Sequence, residues 1–161
     1  MRIPIRILID EYQSHLYRIA FNICKNREDA EDIVQDTFVQ YHISNKEYDD
    51  ESHIRAWLMR VTINKSRNTL RSFWRKHRQS LESYMEELNF PDSQSEELFE
   101  AVMKLPEKQR TVIHLFYYED YSIKEIADIL KLSEGNVKTR LTRGRAMLKE
   151  QLKEAWNDEQ S

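Results

Sequence analysis

Only two glycines, Gly135 and Gly144, and three prolines, Pro4, Pro91 and Pro106, punctuate this chain of 161 residues. β-rich domains and dinucleotide-binding folds need turn glycines, so this scarcity points to long helices joined by short links. It also removes every phosphate-cradling loop, because neither GxGxxG nor GxxxxGK[ST] can be written with two glycines. The length suits one ordinary domain or two small ones. An aromatic share of 11% is enough ring surface to seed a core. One cysteine, Cys24, excludes a disulfide framework and a cysteine-based zinc site, and fits a reducing compartment. No apolar run approaches the roughly 20 residues of a membrane span, and no signal-peptide core is present. The expectation is a soluble, cytoplasmic, all-α protein.

A net charge of −3 conceals strong blocks. Residues 28–36 hold Glu28, Asp29, Glu31, Asp32 and Asp36 and no base. Between Ser52 and Leu81 there are eight bases and no acid, and between Glu82 and Glu100 seven acids and no base. From Val137 to Lys149 the chain carries Lys138, Arg140, Arg143, Arg145 and Lys149, again without an acid. Solvated helix faces normally mix signs at i,i+4 spacing. Two unmixed basic blocks separated by acid instead suggest two polyanion-facing surfaces.

Apolar spacing predicts a first helix over 5–24, with Leu8, Tyr12, Leu16, Ile19, Ala20 and Ile23 inward, and a polar break at 25–27. A second helix is expected from about Glu28, whose acidic first turn suits the helix dipole, to His42. Ala30, Ile33, Val34, Phe38 and Tyr41 share its apolar face. Residues 44–52 read as a polar loop, and a third helix runs from His53 to about Arg75 with Ile54, Trp57, Leu58 and Val61 inward. The stretch 79–95 has no sustained period and reads as a linker.

A second helical unit is expected from about Ser95, first as a helix over 96–103. Pro106 opens the next helix, which buries Val112, Ile113, Leu115 and Phe116. Ser122 with Glu125 makes a capping box for a short helix over 123–130. Ser133 caps a longer helix reaching about Trp156. The pair forms a helix-turn-helix pattern, packed through Ile126, Ala127, Leu130 and Leu132 against a stripe of Val137, Leu141, Leu148 and Leu152. The other face of the long helix carries Asn136, Thr139, Arg140 and Arg143, whose side chains can read base edges and phosphates.

Three stretches resemble the extracytoplasmic-function branch of the bacterial RNA polymerase sigma-70 family. Residues 30–38, AEDIVQDTF, look like the segment that grips the polymerase clamp helices. Residues 56–61, AWLMRV, with Asn64 and Arg71 beyond them, are similar to the promoter-melting helix. LPEKQR at 105–110 and SEGNVKTRLTRG at 133–144 resemble the C-terminal DNA-reading domain. The resemblance runs in order along nearly the whole chain. Ile63 stands where the family often has Arg, and Asn68 where it often has Asp; both bear on promoter preference. Lys131 occupies a turn position where Gly or Asn is common, and a left-handed backbone there would cost Lys roughly 1 kcal/mol.

The resemblance implies two small helical domains joined by an acidic flexible linker: 1–76 for polymerase binding and the −10 element, 77–96 as linker, and 97–156 as the helix-turn-helix domain for the −35 element. Residues 157–161 are left as a tail. It implies polymerase contact through Glu31, Asp32, Val34, Gln35, Asp36 and Phe38, with Glu31, Asp32, Gln35 and Asp36 forming a polar rim around Val34 and Phe38. It implies −10 contact through Arg60, Asn64, Lys65, Arg67, Arg71 and Arg75, and −35 contact through Ser133, Asn136, Lys138, Thr139, Arg140 and Arg143. Core RNA polymerase and promoter DNA are the implied partners, and an anti-sigma factor is compatible with the resemblance. Trp57 is expected to pack, and Phe73 and Trp74 either pack or stack on unpaired bases. The histidines show no metal-ligand spacing, and no nucleophile elbow or carboxylate pair can be placed, so no metal, cofactor or catalytic site is expected. Two other readings stay open on the sequence alone: a free-standing helix-turn-helix regulator, and a basic protein lying on anionic membranes.

Overall fold

The computed structural model describes residues 1–74 and 90–160, with side chains up to 69 and from 90 to 154. Every regular element among these residues is helical: α1 (Ile5–Cys24), α2 (Arg27–Ile43), α3 (Glu51–Trp74), α4 (Ser93–Met103), α5 (Glu107–Ile113), a π-helical turn (His114–Tyr118), α6 (Ile123–Leu130) and α7 (Glu134–Gln160). They divide into two compact units.

In the first unit α1, α2 and α3 each pack on the other two. Lys25 ends α1 in a left-handed conformation (φ 56°), and Asn26 caps α2 by accepting the Asp29 N–H. Such a one-residue reversal lets two helices turn back on each other with their end groups satisfied. Leu8, Leu16, Ile19, Ile23, Tyr41, Ile54, Leu58 and Ile63 are essentially fully buried. The apolar spacing therefore names the core of α1 and α2 correctly. Val61 is the exception on α3: it is half-exposed, while Met59, Thr62, Ile63 and Ser66 go inside.

The buried threonine and serine hydroxyls of this unit are paired. Thr37 Oγ1 donates to the Ile33 carbonyl at 2.8 Å, Ser66 Oγ to the Thr62 carbonyl at 2.7 Å, and Thr62 Oγ1 to Thr37 Oγ1 at 3.2 Å. Small side chains bonded this way let helices approach without an unpaired polar atom. Trp57 packs, as expected, with its ring 6.2 Å from Tyr41 and 6.0 Å from Tyr48. Tyr48 is the surprise, because it lies in the polar 44–50 loop yet is only 2% exposed. It anchors that loop on the aromatic cluster.

The second unit starts earlier than its composition suggests. Asp92 accepts the Ser95 N–H at 2.7 Å and caps a helix beginning at Ser93, so residues 93–96 belong to α4 and not to a linker. Pro106 sits at the N-cap of α5, one residue before the expected helical position. Arg110 is 4% exposed and donates from Nη1 to the Leu105 carbonyl at 2.7 Å, tying the α4–α5 corner together.

After Ile113 the helix takes a π turn, closed by the Glu119 N–H on the His114 carbonyl. The extra residue rotates the end of the helix, which is why Phe116 is only half-buried and Tyr117 and Tyr118 are about half exposed. His114 stays inside, with Nε2 3.2 Å from Glu119 Oε1 and its ring stacked on Tyr118. Burial pushes the Tyr118 phenol above its usual range.

The capping box forms in both directions: Glu125 N–H donates to Ser122 Oγ, and Ser122 N–H donates to Glu125 Oε1. Lys131 is left-handed (φ 57°), and Leu132 N–H returns to the Ala127 carbonyl. Ser133 Oγ then accepts the Asn136 N–H at 3.0 Å and starts α7. The chain thus runs from α6 through a three-residue turn into α7.

Val137 and Leu141 are buried, but the stripe expected to continue through Leu148 and Leu152 does not. Those two are half-buried and line an open apolar groove with Tyr117, Arg145, Lys149 and Lys153. At 27 residues, or about 40 Å, α7 outruns the shorter α4 and α5 that cover its start. Leu130 and Leu132 are likewise only half-buried.

Candidate functional site

Three surfaces collect the residues singled out by their chemistry. The first is a groove of about 950 Å³ along α1 and α2, lined by Ile5, Ile9 and Tyr17 from one helix and Glu31, Val34, Gln35, Phe38 and Val39 from the other. Val34 and Phe38 are 4% and 6% exposed. They form the floor of the groove, not the centre of a raised patch, because their helix face turns toward α1. Glu31 and Gln35 stand at its rim. Asp32 and Asp36 are exposed but do not line it. Burial, and then the nearby Asp32 charge, hold the Asp29 carboxyl above the usual range.

The apolar contribution of α1 and of Val39, itself 50% exposed, went unread in the sequence. Its signal was present: Ile5 and Ile9 continue the α1 stripe, three residues before Leu8 and seven before Leu16, and both are only half-buried. The groove therefore pairs an apolar floor with a polar rim that also takes in Arg18 and His42.

The second surface is the outer side of α3. Arg60, Asn64, Arg67 and Arg71 recur at four-, three- and four-residue steps, so they fall within about 60° of each other around the helix. Asn64 is exposed. Lys65 departs from this stripe, turned about 100° from Asn64, and it is half-buried. The Arg71 side chain, Arg75 and the rings of Phe73 and Trp74 lie outside the described residues. Ile63 is 1% exposed. An arginine at that position would have to bury its charge, which accounts for an apolar residue there.

The third surface is the start of α7, in the other unit. Asn136, Thr139, Arg140 and Arg143 span about 100° of the helix circumference. Arg140 donates from Nε to Asn136 Oδ1 at 3.1 Å, and Thr139 Oγ1 donates to the Gly135 carbonyl at 3.0 Å. Ser133 serves as the cap, its oxygen already accepting the Asn136 N–H. Lys138 is exposed but lies about 100° beyond Thr139 around the helix, on the flank away from Arg140.

What holds this face in position is Gly144, whose role in packing the residue pattern did not reveal. A Cβ placed there would meet Ile113 Cγ1 at 3.0 Å and Gln109 Cβ at 3.4 Å. The glycine thus lets α7 cross α5 in close contact. Arg145, next along, donates from Nε to the Tyr117 hydroxyl at 2.6 Å and lies over the Phe116 and Tyr117 rings. Among the described residues no three His, Cys, Asp or Glu side chains are grouped to hold a metal ion, and no helix is long and apolar enough to cross a membrane.

Comparison with known proteins gives this arrangement a family. Residues 8–80 match the family model for sigma-70 region 2, and residues 95–148 match that for sigma-70 region 4. The ECF RNA polymerase sigma factor SigM of Bacillus subtilis is 30% identical over 159 residues, covering 92% of this chain and 94% of the relative. SigW of the same organism is 28% identical over 164 residues, covering 91% and 88%. Among solved structures, CnrH in complex with the cytosolic domain of CnrY superposes with a TM-score of 0.68 at 28% identity, covering 92% of this chain and 87% of that one. The sigma factor RpoE bound to the anti-sigma factor NepR from Bartonella quintana shares the fold, with a TM-score of 0.76 at 23% identity and coverage of 92% and 96%. Two sigma-70 regions in order, on two helical units, leave one conclusion: the chain belongs to the extracytoplasmic-function RNA polymerase sigma factors of the sigma-70 family.

Proposed function

We propose that this chain is a promoter-specificity subunit whose three surfaces divide the work of initiation. The α1–α2 groove, with Val34 and Phe38 as floor and Glu31 and Gln35 as rim, docks on core RNA polymerase. Asp32 and Asp36 add long-range attraction to a basic partner. The α3 stripe of Arg60, Asn64, Arg67 and Arg71 meets the −10 element, with Lys65 and Arg75 as flanking phosphate contacts. The start of α7 enters the major groove of the −35 element with Asn136, Thr139, Arg140 and Arg143, while Lys138 and Ser133 contribute at its edges.

The observation that carries this reading is the acid-free face of α7, opened by the Ser133 cap and fixed against α5 at Gly144. It puts positive charge and hydrogen-bond donors where a major groove presents acceptors. The mechanism is binding energy. Unstacking and capturing a base costs a few kcal/mol, offset by stacking, hydrogen bonds and phosphate contacts. The polymerase performs the nucleotide chemistry, so the chain itself is no enzyme and acts in the cytoplasm beside its polymerase. An anti-sigma partner, of the kind bound to the solved RpoE, would compete for these surfaces.

Run-off transcription tests the proposal. Core polymerase with this chain should yield discrete transcripts from a promoter library that core polymerase alone does not initiate. Tight, sequence-specific duplex binding by the free chain, with no effect on core polymerase, would instead support an independent regulator.

A further inference from the structure

The Arg140–Asn136 hydrogen bond fixes something an isolated residue type leaves open, namely which way an asparagine amide faces. Arginine Nε carries only a proton, so the atom it meets at 3.1 Å must be the amide oxygen. The Asn136 NH₂ group is thereby turned away from Arg140. Asparagine reads adenine by presenting oxygen and NH₂ together to that base, the oxygen accepting from N6 and the nitrogen donating to N7. An Asn136 amide whose oxygen points along the helix to Arg140 is not set up for that bidentate contact. What the pair presents outward is donors.

We propose that Asn136 is a positioning residue for Arg140, and that the two act as one reader of a guanine in the −35 element. Guanine offers two acceptors, O6 and N7, on its major-groove edge, whereas adenine offers one acceptor and one donor. A donor-only pair matches the first and is mismatched against the second. Asn136 is neutral, so it holds the guanidinium without cancelling its charge; an acid at the same place would weaken the attraction to phosphates. No acid occurs from Val137 to Lys149, so charge along this part of α7 is not neutralised from within the helix. The tether also restricts Arg140 before DNA arrives, which reduces the ordering cost of the contact. Both residues lie within the first two turns of α7, and the Ser133 cap bonds the Asn136 N–H itself. Cap and reader are therefore one connected piece of local structure.

This inference rests on the reading of α7 as the −35 element's partner, and the experiment separates the two. Holoenzyme is assembled from core RNA polymerase and the full chain, and bound to duplex promoters randomised across the −35 region; recovered DNA is sequenced. Wild-type protein should select guanine at one position. Arg140→Ala should lower that preference about tenfold. Asn136→Ala should lower it at the same position by roughly threefold or more, with little further change when added to Arg140→Ala, as expected for a coupled pair. Asn136→Asp, whose carboxylate still accepts from Nε, should keep the guanine preference while weakening binding to all sequences. A role confined to helix stability would not produce that split.

If Asn136→Ala alters a different position, abolishes a preference for adenine, or weakens every sequence alike while Arg140→Ala still acts on guanine, the pairing is overturned and the −35 reading survives. If neither substitution changes any position of the −35 region, both are overturned.

Discussion

Gly144 meets Ile113 so closely that a single added methyl would lie 3.0 Å from Cγ1 and 3.2 Å from Cδ1 of the isoleucine. The residue at which α7 crosses α5 thus carries no side chain. Placing Leu there would wedge α7 off α5. Gly144→Leu is expected to destabilise the second unit by about 1–3 kcal/mol, the usual range for overpacking. Hydrogen exchange should show lost protection in α5 and α7 with α1–α3 unchanged, and −35 binding should fall while core polymerase binding persists. Equal protection in both units would contradict the crossing.

Val39 stands 50% exposed at the edge of the α1–α2 groove. Val39→Glu should weaken association with core polymerase at least tenfold, yet change stability by no more than about 0.5 kcal/mol, since little of the side chain leaves a core. Asp32→Arg should reduce the association rate more than the lifetime of the complex, because Asp32 lies outside the groove. Surface-bound core polymerase and the two variants, followed in real time, separate these effects.

Asn64 is exposed on the α3 stripe, one turn from Arg60. Asn64→Ala holoenzyme should be defective on a closed promoter and recover on one carrying a pre-melted bubble. The check is open-complex formation on both templates. A defect of the same size on fragments containing only the −35 element would remove Asn64 from the −10 surface.

Lys131 holds a left-handed backbone (φ 57°) in the turn before α7. Lys131→Gly should raise stability by about 1 kcal/mol, the order of the left-handed penalty for an L-residue. Denaturant melts of the full chain measure it. A loss of stability would mean that the lysine side chain contributes more than its backbone strain removes.

The Ser133 cap should matter in the opposite sense. Ser133→Ala leaves the Asn136 N–H without its acceptor and should cost about 1 kcal/mol. Ser133→Asp should restore the cap but place a negative charge beside the DNA-facing surface. Stability should return while DNA affinity stays low, as read by melting and by anisotropy at fixed salt.

Much of this protein is written locally. The 3.6-residue period placed α1, α2 and α3 to within a few residues, and Ser122, Glu125 and Ser133 marked helix starts where the structure has them. The three family-like motifs also sit on the helices expected of them. These features depend on neighbours within about four residues, the range over which one helical turn brings side chains together. The Arg140–Asn136 bond belongs to the same class: its i,i+4 spacing was on view in the sequence.

Other features required the packed fold. Tyr48 lies in a polar loop, and only the arrival of Tyr41 and Trp57 from two different helices buries it. Gly144 is an ordinary weak helix residue until α5 crosses at Ile113. The stripe through Leu148 and Leu152 has core periodicity but lacks a helix long enough to cover it, and a groove results. The π turn at His114–Tyr118 rotates Phe116 partly out of the core, although its spacing marks it as inward. Periodicity says which residues share a helix face. Which face finds a neighbour, and how closely, depends on helix lengths and crossing points that residues far apart in the chain set together.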